Sequence, residues 1–339
     1  MKIKIWGEYM KKILRIGLIL IGIFLTTGCF GSNNDDVVLK FIKNVEKAKA
    51  YHIMGELEIV NNEESYLYNV EVSYKDDDYF RVSLKNQTNN HEQIILKNET
   101  GVYVLTPTLN KSFKFQSEWP YNNSQSYLLQ TLVQDMENDD TKTVEVIDNY
   151  TIVKTLVNYS NNKNLINQKI YFDKDDNLKK VEVMDKNENV KIKMSFDDID
   201  FKANYDDDYF KLDANMDKAS YTEETSTEIE DIIYPMYMPE NTYLTSEDVI
   251  ALDDGERVIL TFSGDSPFMI VQETVSTDDS STLPVYGEIE WTGDTLGILT
   301  ENTVNWIRNG VEYYAVSEVL DSSELLEIVN SISVMPVGK

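Results

Sequence analysis

Apolar and polar residues alternate along much of the chain between residues 66 and 196. Residues 66–74 are the clearest case, since every second side chain is a tyrosine or a valine and most of those between are polar. A two-residue period places neighbouring side chains on opposite faces of a strand, which predicts a half-buried antiparallel β-strand. Shorter runs separated by polar clusters predict further strands at 80–84, 94–96, 102–105, 113–115, 144–147, 152–157, 170–172, 181–183 and 190–196.

Two stretches have apolar residues at spacings of three and four instead. Residues 37–48 predict an amphipathic helix, and Asp35 and Asp36 stand before it, where a helix N-terminus favours negative charge. Residues 124–136 show the same helical spacing. Many strands and few helices predict one large, strongly curved antiparallel sheet with helices on its concave side, because an open sheet of that size must curl or split.

A second α+β pattern follows Pro235 and Pro239. Strands are predicted at 258–262, 268–273, 285–291, 303–307 and 311–316, and Asn309-Gly310 between the last two is a strong hairpin signal. The chain then ends in a helix, where Asp321 and Glu324 are spaced as a capping pair. Residues 217–231 are acidic and poor in apolar side chains, which is typical of a linker. We therefore expect a first domain at 37–216 and a small α+β domain at 232–339.

The N-terminal segment resembles a lipoprotein signal peptide. Residues 13–25 are apolar but shorter than the roughly 20 residues of a membrane-spanning helix. Small residues then precede Cys29, the only cysteine, so we expect cleavage after residue 28 and a diacylglycerol on the Cys29 thiol. Leu25 lies four residues before the cysteine rather than the usual three, and the start is either Met1 or Met10. Residues 29–36 would then tether the protein to the extracytoplasmic face of the membrane.

The charge and the inventory of reactive residues exclude several functions. The formal net charge is -28, and an acidic surface repels nucleic acid, so no nucleic-acid partner is expected. The two histidines, His52 and His91, have no metal-ligand spacing, and no phosphate-binding glycine loop occurs. We expect no cofactor and no enzyme activity, although a hydrolase that uses paired carboxylates is an open alternative.

Three acidic clusters are interpreted as turns. Residues 173–177 begin like a calcium-binding loop, but Leu178 stands where that loop needs glycine, so a hairpin turn is expected. Residues 76–80 and 206–210 echo each other in sequence, and both are expected to be polar turns that enter strands.

Residues 80–132 resemble a known family. The resemblance includes Gly-Val-Tyr-Val-Leu-Thr-Pro at 101–107 and Gln-Ser-Glu-Trp-Pro at 116–120. The family is the outer-membrane lipoprotein carrier (LolA-like) group, and within it the lipoproteins that spore-forming Gram-positive bacteria make during sporulation. The resemblance implies an open, unclosed β-barrel, lined by hydrophobic residues and lidded by helices, that holds acyl chains or senses lipoproteins. Residues 234–335 resemble a small domain of unknown function from membrane-bound proteins of the same bacteria.

Pattern and resemblance together lead to a functional expectation. The chain would be a lipid-anchored protein that binds acyl chains or a lipoprotein, or alternatively a sensor-like protein that docks another envelope protein. The carriers themselves are shuttles without an anchor, so a tether at Cys29 is a departure from them. The aromatic strand residues form either ordinary core or a cavity wall. The candidate ligand-binding residues are Tyr68, Val70, Val72, Phe80, Val82, Phe113, Phe115 and Trp119.

Overall fold

The first part of the chain forms a long antiparallel sheet. The computed structural model describes residues 34–61, 64–217, 226–276 and 281–334, so Cys29 and the predicted signal peptide lie outside the described residues. Eleven strands come from this first part: β1 (Ala50–Asn61), β2 (Glu64–Lys75), β3 (Tyr79–Asn86), β4 (Glu92–Asn98), β5 (Gly101–Thr106), β6 (Lys111–Phe115), β7 (Thr143–Ile147), β8 (Tyr150–Leu156), β9 (Leu165–Phe172), β10 (Leu178–Asp185) and β11 (Val190–Asp200).

The sheet is open, and two helices lie on its concave face. Its strands run β7-β8-β9-β10-β11-β1-β2-β3-β4-β5-β6, with one more strand beyond β6, and the two end strands do not pair. Helix α1 (Asn34–Lys47) and helix α2 (Leu129–Asn138) pack against it in one apolar cluster. Phe41 of α1, for example, meets Phe172 of β9 edge-on at 5.2 Å. The predicted curved α+β sheet with helices on one face is confirmed.

A segment after β11 covers part of the opposite face. Phe210 packs on Ile94, Leu96 and Leu105, and the short helix α3 (Leu212–Met216) follows it. The expectation that residues 206–210 enter a strand is therefore wrong, because these residues form a turn whose aromatic side chain covers the sheet. The turn at 76–78 does lead into β3, and the turn at 173–177 joins β9 to β10, as expected.

The second part of the chain builds a further sheet. Residues 218–225 of the predicted linker lie outside the described residues, and Ile229 beyond them is buried. The new strands are β12 (Ile233–Pro235), β13 (Thr242–Leu252), β14 (Gly255–Gly264), β15 (Phe268–Thr274), β16 (Ser281–Val285), β17 (Glu288–Thr292), β18 (Thr295–Leu299), β19 (Thr303–Arg308), β20 (Val311–Val316) and β21 (Ile332–Val334). Seven of them form a sheet in the order β13-β14-β15-β20-β19-β18-β17, while β12 and β21 form a two-stranded sheet of their own.

Two local predictions in this region are confirmed. Asn309 and Gly310 both have positive φ, at 50° and 74°, and turn β19 back into β20. The last helix, α4 (Ser322–Asn330), begins with a complete capping box: Asp321 accepts a hydrogen bond from the Glu324 backbone, and the Glu324 side chain accepts one from the Asp321 backbone.

Strand β16 joins the two parts of the molecule. The prediction of one strand over 285–291 is wrong, because Tyr286 and Gly287 interrupt it and separate β16 from β17. The residues before the break pair with β6 in parallel and become the last strand of the first sheet. Leu296, Ile298 and Ile307 also pack in the apolar cluster of that sheet. The two parts therefore share a core. Among the residues that the structure describes, no helix is both long enough and apolar enough to cross a membrane.

Candidate functional site

A large cavity lies between one end of the central strands of the first sheet and the second part of the chain. It has a volume of about 810 Å³ and opens to solvent. Strands β1 and β11 and the loop before α2 form one side, and β17 and α4 form the other. Clefts of roughly 300–1,000 Å³ are the usual size of small-molecule sites, so this cavity can hold a ligand.

The inner wall of the cavity is aliphatic and aromatic. Trp119 is held at its backbone by a hydrogen bond to Ser117 and packs edge-on against Phe80, with ring centroids 5.7 Å apart. Trp291 of β17 lies against Tyr68, at 5.2 Å between centroids. The other aliphatic and aromatic members of the wall are Leu57, Ile59, Val60, Tyr127, Tyr159, Leu165, Ile192, Tyr237, Ile289, Leu296 and Leu326.

One carboxyl group, that of Glu290 on β17, lies within this wall. Asn161 Nδ2 donates a hydrogen bond of 2.9 Å to Glu290 Oε1. Removal from water raises the pKa of Glu290 to about 7, the negative charge of Glu288 adds to the rise, and the hydrogen bond from Asn161 opposes it. Burial raises the pKa of Tyr127 and Tyr159, and the nearby charge of Glu290 adds to the rise in both.

The rim of the cavity is polar and divided by charge. Lys163, Lys186 and Lys191 border it at the ends of strands in the first sheet. Carboxylates border it elsewhere. Three of them belong to α4 and its N-cap: Asp321, Glu324 and Glu327. An apolar interior under a charged rim is suited to an amphiphilic molecule.

A second partly buried carboxyl, Asp135 of α2, lies beside a smaller cavity of about 160 Å³. Ser124 Oγ donates a hydrogen bond of 2.8 Å to Asp135 Oδ1, and Gln168 Nε2 donates one of 2.8 Å to Asp135 Oδ2. Burial raises the pKa of Asp135 to about 6, and these two hydrogen bonds oppose that rise. Because both oxygens are bound by side chains from other elements, Asp135 fixes α2 to the sheet.

The predicted ligand-binding residues are all buried, but few of them border a cavity. Trp119 is the only one of the eight in the wall of the large cavity. Phe113 and Phe115 line a space of about 10 Å³, which is too small for a ligand. The other five pack in the core of the first sheet, and they are Tyr68, Val70, Val72, Phe80 and Val82. Their role in binding stays a prediction, as does that of Cys29, which lies outside the described residues.

Sequence patterns missed several residues that the cavity depends on. Tyr159 and Asn161 belong to an irregular loop, and Glu290 and Trp291 lie within β17, a strand from the second part of the chain. No local signal marks any of them, because the cavity exists only where two distant parts of the chain meet. In the described residues, no group of three or more His, Cys, Asp or Glu side chains is arranged to hold a metal ion.

The chain is similar to known proteins in fold and in sequence. The open antiparallel sheet, with helices on its concave face, is the architecture that the LolA-like resemblance implies. No family model matches the chain. The chain is 32% identical over 318 residues to sporulation protein YdcC of Bacillus subtilis (strain 168), which covers 92% of this chain and 94% of the relative. The chain belongs to the family of that sporulation protein, and the expected kinship with sporulation proteins is confirmed.

Two solved structures are also similar to the chain. A crystal structure of MucB shares 11% identity at a TM-score of 0.35 and covers 90% of this chain and 99% of MucB. A LolA superfamily protein from Nitrosomonas europaea shares 10% identity at a TM-score of 0.30 and covers 52% of this chain and 98% of that protein.

Proposed function

We propose that this protein is a lipid-anchored, non-enzymatic lipoprotein on the extracytoplasmic face of the membrane, where it binds an acyl chain or another amphiphilic ligand during sporulation. The cavity of about 810 Å³ carries this proposal. Its interior offers apolar contact to a chain, and its rim offers charges to a head group. The link to sporulation comes from the relative that is 32% identical.

The proposed anchor would hold the protein close to the bilayer. Helix α1 begins at Asn34, five residues after Cys29. A chain segment of that length spans at most about 18 Å when fully extended. The diacylglycerol provides two buried chains, which is enough for stable anchoring.

The anchor is tested by labelling. Cells that express the full chain are grown with a radioactive fatty acid, and the label is expected on the wild-type protein and not on Cys29→Ala. The variant is also expected to leave the membrane fraction. An unlabelled wild-type protein that fractionates like the variant would refute the anchor.

Ligand binding is tested by native extraction followed by lipid mass spectrometry. Ile192→Trp places an indole in the cavity and is expected to reduce co-purified lipid at least tenfold. Ile166→Trp is the matched control, because Ile166 is exposed on β9 and is not part of the cavity wall. A wild-type protein that carries no lipid and takes none up from vesicles would rule out the ligand-binding role.

One observation favours a second candidate function, the docking of another envelope protein. Strand β13 is an edge strand of the second sheet, and Tyr243, Val249 and Ile250 on it are 60%, 55% and 41% exposed. Exposed apolar edge strands are typical interaction sites. A photo-crosslinker at position 249 is expected to capture one specific protein in sporulating cells, whereas one at the exposed Glu301 is not. Identical products from both positions would count against docking.

A further inference from the structure

We propose that the cavity selects amphiphiles whose head group carries a positively charged nitrogen, and that the Glu290 carboxylate is the counter-charge for that nitrogen. The inference rests on the proposed ligand-binding function and adds the chemical class of the ligand. Three observations support it: the position of Glu290, the aromatic rings around it, and the balance of charge at the cavity.

Among the residues that the structure describes, no lysine or arginine forms a salt bridge with Glu290. It accepts a hydrogen bond from Asn161 and a backbone hydrogen bond at Trp291. The neighbouring charge that contributes to its raised pKa, after burial, is that of Glu288, which is also acidic. A buried carboxylate normally has a cation or several donors near it, since burying an uncompensated charge is unfavourable. A ligand that brings a positive charge would supply the missing partner.

The rings in the cavity wall are suited to the same ligand. Tyr127 and Tyr159 lie close enough to Glu290 for its charge to raise their pKa, and Trp119 and Trp291 border the same space. The faces of aromatic rings attract cations, and tryptophan does so most strongly. A carboxylate among aromatic rings is therefore a favourable environment for an ammonium group and an unfavourable one for a second carboxylate.

The other charged groups around the cavity favour a cation as well. On the same strand, Glu288 receives a hydrogen bond from Asn122, and burial raises its pKa. Three lysines border the cavity, but none is among the groups that influence Glu290. Carboxylates outnumber lysines, and the charged members of the rim are Lys163, Asp185, Lys186, Lys191, Asp321, Glu324 and Glu327.

The titration of Glu290 gives the selectivity a predictable pH dependence. With a pKa of about 7, Glu290 is mostly neutral at pH 6 and mostly charged at pH 8. A simple alkylamine stays cationic over this range, since amines of this type have a pKa above about 10. The affinity for an amine should therefore rise from pH 6 to pH 8, and the affinity for a carboxylate of the same length should fall.

The test uses three single-chain probes of equal length below their micellar concentrations: decylamine, decan-1-ol and decanoate. Binding to the full chain is followed by tryptophan fluorescence, since Trp119 and Trp291 line the cavity. At pH 8 we expect decylamine to bind at least tenfold more tightly than decan-1-ol, and decanoate to bind most weakly. Glu290→Gln is expected to lower the decylamine affinity about tenfold, as for the loss of a charge-assisted hydrogen bond, and to leave decan-1-ol unaffected.

The control and the other outcomes separate this inference from the proposed function. Glu301→Gln removes the same charge at an exposed position outside the cavity wall and is expected to change the decylamine affinity less than twofold. Equal affinity for all three probes, or tighter binding of decanoate, would overturn the inference and leave the ligand-binding function standing. Binding of no probe would overturn both. Should Glu290→Gln fail to fold, the wild-type pH profile decides, because a decylamine affinity that is flat from pH 6 to pH 8 contradicts a role for Glu290.

Discussion

At the scale of single residues, two partly buried carboxyl groups show how surroundings separate a structural role from a candidate binding role. Both carboxylate oxygens of Asp135 accept hydrogen bonds, one from Ser124 before α2 and one from Gln168 in β9. These bonds fix α2 against the sheet. Glu290 has a single side-chain donor and borders a large cavity. Burial raises the pKa of both. The cavity beside Glu290 has the size of a small-molecule site, whereas the one beside Asp135 is smaller than that range.

The raised pKa of Glu290 predicts a pH-dependent stability. Between its unfolded value near 4.5 and about 7, the folded state binds the proton more tightly, so the free energy of unfolding falls as pH rises through this window. Glu290→Gln removes this loss and should stabilise the protein at pH 8 by roughly 1–3 kcal/mol, with no gain at pH 4.5. Urea denaturation at both pH values measures this. A gain of equal size at both would contradict the assignment.

A second residue, Asn215 of α3, fixes the segment that covers the outer face of β3–β5. Its side chain is fully buried, accepts a hydrogen bond of 2.7 Å from Arg81 Nε, and donates to the backbone oxygens of Tyr209 and Lys211. Asn215→Ala leaves a buried guanidinium N–H and two carbonyls without these partners. We expect a loss of about 2–4 kcal/mol in the free energy of unfolding.

Asn158→Ala is the control for Asn215, since its side chain makes one longer hydrogen bond of 3.3 Å in an exposed position. Its expected loss is below about 1 kcal/mol. Equal losses for the two variants in thermal denaturation would show that Asn215 does not hold the segment in place.

At the scale of elements, alternation predicted most strands of the first sheet but not β1, its central strand. Tyr51, Ile53 and Leu57 do alternate inward. Gly55 interrupts the apolar series, and the exposed Met54 adds an apolar residue on the wrong face. The structure explains the glycine, because a Cβ there would lie 2.1 Å from the Ser195 carbonyl oxygen, at the bulge between β1 and β11. Gly55, which interrupts the apolar pattern of β1, is thus required by the close packing of β1 against β11.

Local pattern could not predict the path of β16 either. Apolar residues continue across Tyr286 and Gly287, and nothing nearby signals that Leu283 pairs with Phe113 in another sheet. Parallel pairing joins residues that are far apart in sequence, so only tertiary structure determines it. By contrast, the hairpin at Asn309-Gly310 and the cap of α4 depend on neighbouring residues alone, and both were predictable.

The capping box of α4 allows a prediction at this scale. Asp321→Ala removes the acceptor for the Glu324 backbone N–H, at 2.9 Å, and should lower the free energy of unfolding by about 1 kcal/mol. Asp321→Asn keeps an acceptor and should lose less than half of that. Chemical denaturation of the two variants side by side checks the difference. If both lose the same amount, the negative charge matters and the hydrogen bond does not.

At the scale of the whole molecule, the candidate site exists because the two parts of the chain are joined. Tyr68 in β2 donates a hydrogen bond of 2.7 Å to the backbone oxygen of Asp294, and β16 extends the first sheet. Trp119 on one side of the cavity and Trp291 on the other thereby keep their relative positions. The sequence patterns predicted elements on both sides of the cavity. They could not predict how the two sides are placed relative to each other, because tertiary contacts determine that.

Gln93 in β4 is the most complete polar link between the two parts. Its buried amide oxygen accepts from Thr295 Oγ1 at 2.8 Å and from the Leu296 backbone at 2.6 Å, and its nitrogen donates to the Leu296 oxygen at 3.1 Å. These bonds join β4 to β18 in the interior, where unpaired polar groups are costly. Because the two parts share a core, we expect the wild-type protein to unfold in one cooperative transition.

Gln93→Ala should break this link. We expect it to lower the free energy of unfolding by about 2–4 kcal/mol, because the Leu296 backbone loses its bonds to this side chain and Thr295 Oγ1 keeps the Ile307 oxygen but loses Gln93. It should also separate the fluorescence transition, which reports the tryptophans at the cavity, from the circular-dichroism transition of the sheets. Gln87→Ala, at an exposed turn, is the control and should leave both transitions coincident. Two separate transitions in the wild-type protein would show that the parts unfold independently and that the cavity lies between two bodies free to move apart.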